Sequence, residues 1–189
     1  MTKKAVKKEV KRLILEGKTK QEAYDELKGI SKMKAEDLAK IVQSVPSLNA
    51  RDKYRSLNIV LIGLLSLTVA LKMLSGLPIV IEKGIAWFPV LLFLPLINII
   101  LLIGVSTYNQ SSYKFVAILA ILGLFRLLRD LLSSSFDTFI IIDVVFAAGL
   151  IGLGFYLGSK LFPNYTTVKE RYQNSQGQDR MRNVIKFED

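Results

Sequence analysis

The sequence predicts an all-α integral membrane protein: four transmembrane helices, a small N-terminal cytoplasmic helical domain and a short polar C-terminal tail. Three observations carry this. The 189 residues are 51% apolar yet carry a formal net charge of +10, with a mean hydropathy of +0.36. Only nine of the 42 charged side chains fall within residues 57–159, so the average conceals an oily middle between two charged ends. That middle divides into four apolar stretches, each able to cross a hydrocarbon core of about 30 Å at about 1.5 Å per residue.

Residues 1–50 read as a basic cytoplasmic three-helix domain. Val6, Val10, Leu13 and Ile14 recur at helical spacing and Gly17 is placed to cap that helix at its C-terminus. Thr19 and Glu22 form a capping box ahead of Ala23, Tyr24 and Leu27, and this second helix ends at Gly29. A third helix runs from about Ala35 to Val45, with Leu38, Ile41, Val42 and Val45 on its apolar face and Pro46 as its stop. Residues 1–56 hold 15 Lys and Arg against eight Asp and Glu. Such a block is attracted to an anionic inner leaflet, and a cytoplasmic protein is the alternative partner. Nucleic acid is disfavoured, because acids are interspersed and no Arg-rich recognition helix stands out.

Residues 51–162 form the transmembrane domain, with spans at about 57–74, 85–105, 113–132 and 139–162. Lys72, near the end of the first, is expected to snorkel to the interface. The first apolar run begins behind a charged segment, so no cleavable signal peptide is expected. Fifteen basic residues precede the first span and six follow the fourth, whereas the breaks at 75–84 and 133–138 hold one, Lys83. By the positive-inside rule both termini are cytoplasmic, in a membrane of the bacterial cytoplasmic (inner) type. Trp87 then marks the outer interface, and Tyr54, Tyr108, Tyr113 and Tyr165 the inner one.

The third and fourth spans contain Arg126, Arg129, Asp130 and Asp143. A lone charge at a span centre costs from about 2.5 to more than 10 kcal/mol, so these groups should meet protein or water and pair. Antiparallel counting sets Asp143 within one turn of both arginines, while Arg126 and Asp130 are also i, i+4 neighbours. With Lys72, Glu82, Lys83 and Asp137 they could line an outer-half vestibule; the plainer alternative is a clip between two helices. Asp143, Ala147, Gly154 and Gly158 share a sector of about 60° on the fourth span. Gly154 and Gly158 have the spacing that lets membrane helices approach closely, either to the third span or to a second copy in a homo-oligomer. In the second span Pro95 removes an intrahelical hydrogen bond, which predicts a static kink; the functional alternative is a hinge, with Asn98 contributing polarity.

The polar tail, residues 163–189, has two mildly β-prone runs, 166–172 and 181–187, and reads as a hairpin or as disorder. Zero Cys and zero His exclude thiol catalysis, disulfides, Cys/His metal sites and a Ser-His-Asp relay. No cofactor is expected, and no paired carboxylates stand near a nucleophile, so the chain reads as non-enzymatic. Its expected function is that of a scaffold or accessory membrane protein; the alternative is a small oligomeric channel or transporter built on the Arg/Asp cluster.

Overall fold

The computed structural model describes residues 1–93, 95–133, 138–173 and 179–187, and the side chains at 79, 87, 90–92, 126, 128–133 and 138–140 also lie outside that description. The described chain is mostly helical and divides into two compact units, Met1–Lys53 with Ser159–Asp189, and Tyr54–Gly158. It is not all-α, because the tail forms a β-hairpin. Residues 159–189 group with the N-terminal helices.

The first unit is built from α1 (Lys3–Leu15), α2 (Lys20–Ile30), α3 (Ala35–Gln43) and the short α4 (Leu48–Lys53). The apolar stripe of α1, Val6, Val10, Leu13 and Ile14, is buried. Gly17 turns the chain out of α1 at φ +89, a conformation that suits a residue without Cβ. Thr19 then opens α2: its hydroxyl accepts from the Glu22 N–H at 3.2 Å and its own N–H donates to the Glu22 carboxylate at 2.8 Å. Ala23, Tyr24 and Leu27 from α2 and Leu38, Ala39 and Val42 from α3 complete the helical core. Strands β1 (Thr166–Gln173) and β2 (Asp179–Lys186) pair antiparallel, with Thr166 opposite Lys186 and Gln173 opposite Asp179. An isolated hairpin is marginal in water. This one is anchored: Ile185 is buried in the helical core and Tyr165 and Phe187 pack against it, with the Phe187 ring 5.7 Å from that of Tyr24. Two polar contacts fix its base, the Phe187 N–H donating to Gln21 Oε1 at 3.2 Å and Gln43 Nε2 donating to Asn164 Oδ1 at 2.7 Å.

The second unit holds α5 (Arg55–Lys83), a 3-10 turn (Ile85–Trp87), α6 (Phe88–Phe93), α7 (Leu96–Ser106), α8 (Gln110–Ser133) and most of α9 (Thr138–Leu161). Among the described residues two helices, Arg55–Lys83 and Ile141–Leu161, are long and apolar enough to cross a membrane, and the apolar helices Leu96–Ser106 and Gln110–Phe125 are shorter. The expected break at 75–84 is helical as far as Lys83, with Pro78 inside the helix. The expected second span, 85–105, is instead several pieces, because Pro95 caps α7 and its carbonyl accepts from the Ile99 N–H at 2.9 Å.

Four helix ends meet at one level. The buried Tyr113 hydroxyl, at the start of α8, donates to Asn58 Oδ1 near the start of α5 at 2.7 Å and lies 3.2 Å from the Val105 carbonyl near the end of α7. At Gly158, near the end of α9, an added Cβ would sit 3.5 Å from Tyr113 Cβ. The helices therefore run out along α5, back along α6 and α7, out along α8 and back along α9.

Candidate functional site

The close approach of α8 and α9 follows from a missing side chain. A Cβ at Gly154 would lie 3.1 Å from the Tyr113 carbonyl oxygen and 3.2 Å from Ala117 N, so the two backbones touch where the glycine is. The glycine face of α9 is thus occupied by α8 of the same chain. A tighter approach joins α7 to α8: a Cβ at Gly104 would sit 1.9 Å from Ser112 Oγ. The turn between them, Thr107 to Asn109, carries Tyr108 at φ 53.

Farther along the helices from this junction the packing opens into a cavity of about 610 Å³ between α5, α7, α8 and α9. Its wall is mainly leucine, alanine and valine, interrupted by Thr68, Lys72, Ser75, Asn98 and Asp143. The Thr68 hydroxyl donates to the Leu64 carbonyl at 2.8 Å and that of Ser75 to the Lys72 carbonyl at 2.9 Å, so their protons are used within α5. The Lys72 ammonium donates to Asn98 Oδ1 at 2.9 Å. Lys72 and Asp143 lie about 14 and 15 residues along their helices from the Asn58–Tyr113–Gly158 level, hence about 21 and 22 Å from it. Opposite charges therefore occupy one cavity at one depth, and they form no ion pair with each other.

Of the charges singled out from sequence, Asp143 lines this cavity together with Ala147. Arg126, Arg129 and Asp130 are on α8, but their side chains, like Asp137, lie outside the described residues. Their pairing with Asp143 is therefore not part of this geometry. Asn98 lines the cavity, one turn beyond the Pro95 interruption. Sequence reasoning missed Lys72 as a partner of Asn98, and it missed the Asn58–Tyr113 lock. A lone Asn near the start of an apolar run was the available signal. Trp87 also lies outside the described side chains. Tyr113 is buried and Tyr165 packs at 5.9 Å on Phe187.

The terminal unit offers a different chemistry. Residues 1–53 hold 14 basic and eight acidic side chains and residues 159–189 six and four, a net +8 for the unit. On α1 the core stripe leaves Lys3, Lys4, Lys8 and Lys11 exposed and Lys7 half-buried. No acid stands in the first turn, although the positive end of the helix dipole lies there. Partial burial, and then the charge of Lys11, hold the Lys7 ammonium below its ordinary pKa. Arg12 differs: it pairs with Glu9, and with Glu16 at 3.2 Å. Among the described residues no group of three His, Cys, Asp or Glu side chains could hold a metal.

No family model, no curated protein and no solved structure matches this chain.

Proposed function

We propose that the chain is a non-enzymatic, four-span membrane protein of scaffold or accessory type, whose terminal domain lies in the cytoplasm and engages anionic inner-leaflet lipid. The observation that carries this reading is that both ends of the chain share one core, with Ile185 buried among residues of α1, α2 and α3. Two chain ends in one fold leave a membrane on the same side, which requires an even number of crossings. The helix course supports four: if α5 crosses, the return along α6 and α7 and the outward α8 must cross as well. Their large apolar side chains suit lipid, since Ile97, Ile100 and Ile103 on α7 and Phe115, Ile118 and Leu122 on α8 are exposed.

Anionic lipid is favoured as the partner because the lysines of α1 form a crowded, uncompensated stripe. Each basic residue near such a surface contributes about 1 kcal/mol, and the attraction falls with salt. The experiment places the full-length protein in bilayer discs of zwitterionic lipid with and without phosphatidylglycerol and follows amide exchange. Exchange in α1 should slow with phosphatidylglycerol and recover at high salt. Substituting Lys4, Lys8 and Lys11 with Gln should remove the difference, and exchange indifferent to lipid charge would reject the reading.

The cavity favours a second reading, a small oligomeric channel or transporter. Purified protein in liposomes that passes ions or solutes, and loses that flux with Asp143→Asn, would support it over the scaffold.

A further inference from the structure

We infer that the cavity between α5, α7, α8 and α9 is a binding site for a zwitterion that bears a primary ammonium and an anionic group. It does not depend on how the terminal domain meets lipid. The cavity, at about 610 Å³, falls in the size range of small-molecule sites, whose walls are mostly apolar with a few placed polar groups. Here those groups are Lys72, Asn98 and Asp143.

Charge decides the class of occupant. Lys72 has three ammonium protons and one goes to Asn98, so the others remain for an acceptor. The Asp143 carboxylate, when ionised, can only accept. Among the described residues the two charges share the cavity without an ion pair, so each stands to gain from an opposite charge placed between them. A simple anion would meet the Asp143 carboxylate, a simple cation would meet Lys72, and an apolar molecule would strip water from both without replacing it. A zwitterion satisfies both ends at once. An ammonium with N–H groups is favoured over a quaternary one, because only the former donates a hydrogen bond to Asp143. The apolar wall, with Leu65, Leu101, Leu119 and Leu150, suits an attached hydrocarbon chain. The headgroup of an aminophospholipid and a soluble amino-zwitterion share the required chemistry.

The test uses full-length protein in detergent, titrated by calorimetry with phosphoethanolamine, lysophosphatidylethanolamine, lysophosphatidylcholine and lysophosphatidylglycerol. Either ethanolamine compound should bind saturably and about tenfold or more tighter than the choline and glycerol lipids, the discrimination that one charge-assisted hydrogen bond provides. Tighter binding of the lysolipid than of phosphoethanolamine would identify a lipid source, and equal binding a soluble one. Lys72→Met and Asp143→Asn should each abolish headgroup discrimination. Ala120→Phe, which fills the cavity and leaves every charge in place, should abolish binding, and it keeps the test valid should a charge variant not fold. No saturable binding, equal affinity for all headgroups, or discrimination that survives Asp143→Asn or Ala120→Phe overturns the proposal.

Discussion

The terminal domain and the apolar helical unit use their large side chains in opposite ways. In the terminal domain Val6, Val10, Leu13 and Ile14 are buried and charges cover the outside. In the helical unit Ile81, Phe93 and Phe125 are 80%, 70% and 67% exposed, while Gly104, Ala117 and Gly154 are among its buried residues. Water rewards burial of leucine. A lipid solvent is as apolar as leucine, so what holds helices together there is close backbone approach and satisfied polar contacts. The helical unit has both, the glycine contacts at 104 and 154 and the Tyr113–Asn58 bond.

The largest effect should come from the tightest of these contacts. Gly104→Ala sets a Cβ 1.9 Å from Ser112 Oγ and 2.7 Å from Ser112 Cβ, so the α7–α8 turn must shift. Overpacking typically costs about 1–3 kcal/mol and occasionally more, and contacts this short place Gly104→Ala at the upper end. Thermal unfolding in detergent should register the loss, and adding Ser112→Gly should restore part of it, since the next nearest neighbour of that Cβ, Asn109 Cβ, is 4.0 Å away. Additive losses would mean that the two residues are not in contact.

The comparison between the units sharpens with one substitution made in each. Leu13→Ala opens the fully buried core of the terminal domain and should cost about 2–5 kcal/mol. Leu122→Ala, on an exposed position of α8, should stay within about 0.5 kcal/mol in detergent. Equal losses, read by amide exchange in α1 and α8 respectively, would erase the distinction. Between these in size stands Tyr113→Phe, which keeps the ring and leaves Asn58, only 3% exposed, without its donor; about 1–3 kcal/mol is expected from thermal unfolding.

The same contrast explains what was legible in the sequence. In the terminal domain periodicity and capping read directly onto structure, because water makes the apolar positions of α1 recur at helical spacing: the expected core residues of α1 and α2 are buried and the Thr19–Glu22 box is formed. The hairpin was half legible. Thr166–Gln173 is β-prone but exposed on both faces apart from a half-buried Glu170, and contact with the helices, through Ile185 and Phe187, anchors the hairpin. In the helical unit an apolar run announces a helix without saying which face turns inward, so the cavity and the Asn98–Lys72 contact depend on packing that no spacing encodes. Pro95 was visible as an irregularity. That it would separate α6 from α7 was not, because a proline kinks or breaks a helix according to what surrounds it.

The smallest effect tests whether the terminal domain obeys ordinary aqueous electrostatics. Its capping carboxylate, Glu22, sits below the ordinary value of 4.5, first because the Thr19 N–H donates to it and then because the Thr19 hydroxyl does. A depressed folded-state pKa means that the ionised carboxylate favours the folded state. That contribution is complete above 4.5 and is lost as pH falls through the lower folded value. Glu22→Gln keeps an acceptor for the Thr19 N–H but cannot ionise. Relative to native protein, amide exchange in α2 should be slightly faster in the variant near neutrality. The two profiles should converge in acid, once corrected for intrinsic rates, while α8 behaves alike in both proteins. Parallel profiles in α2 at every pH would show that the cap owes nothing to charge.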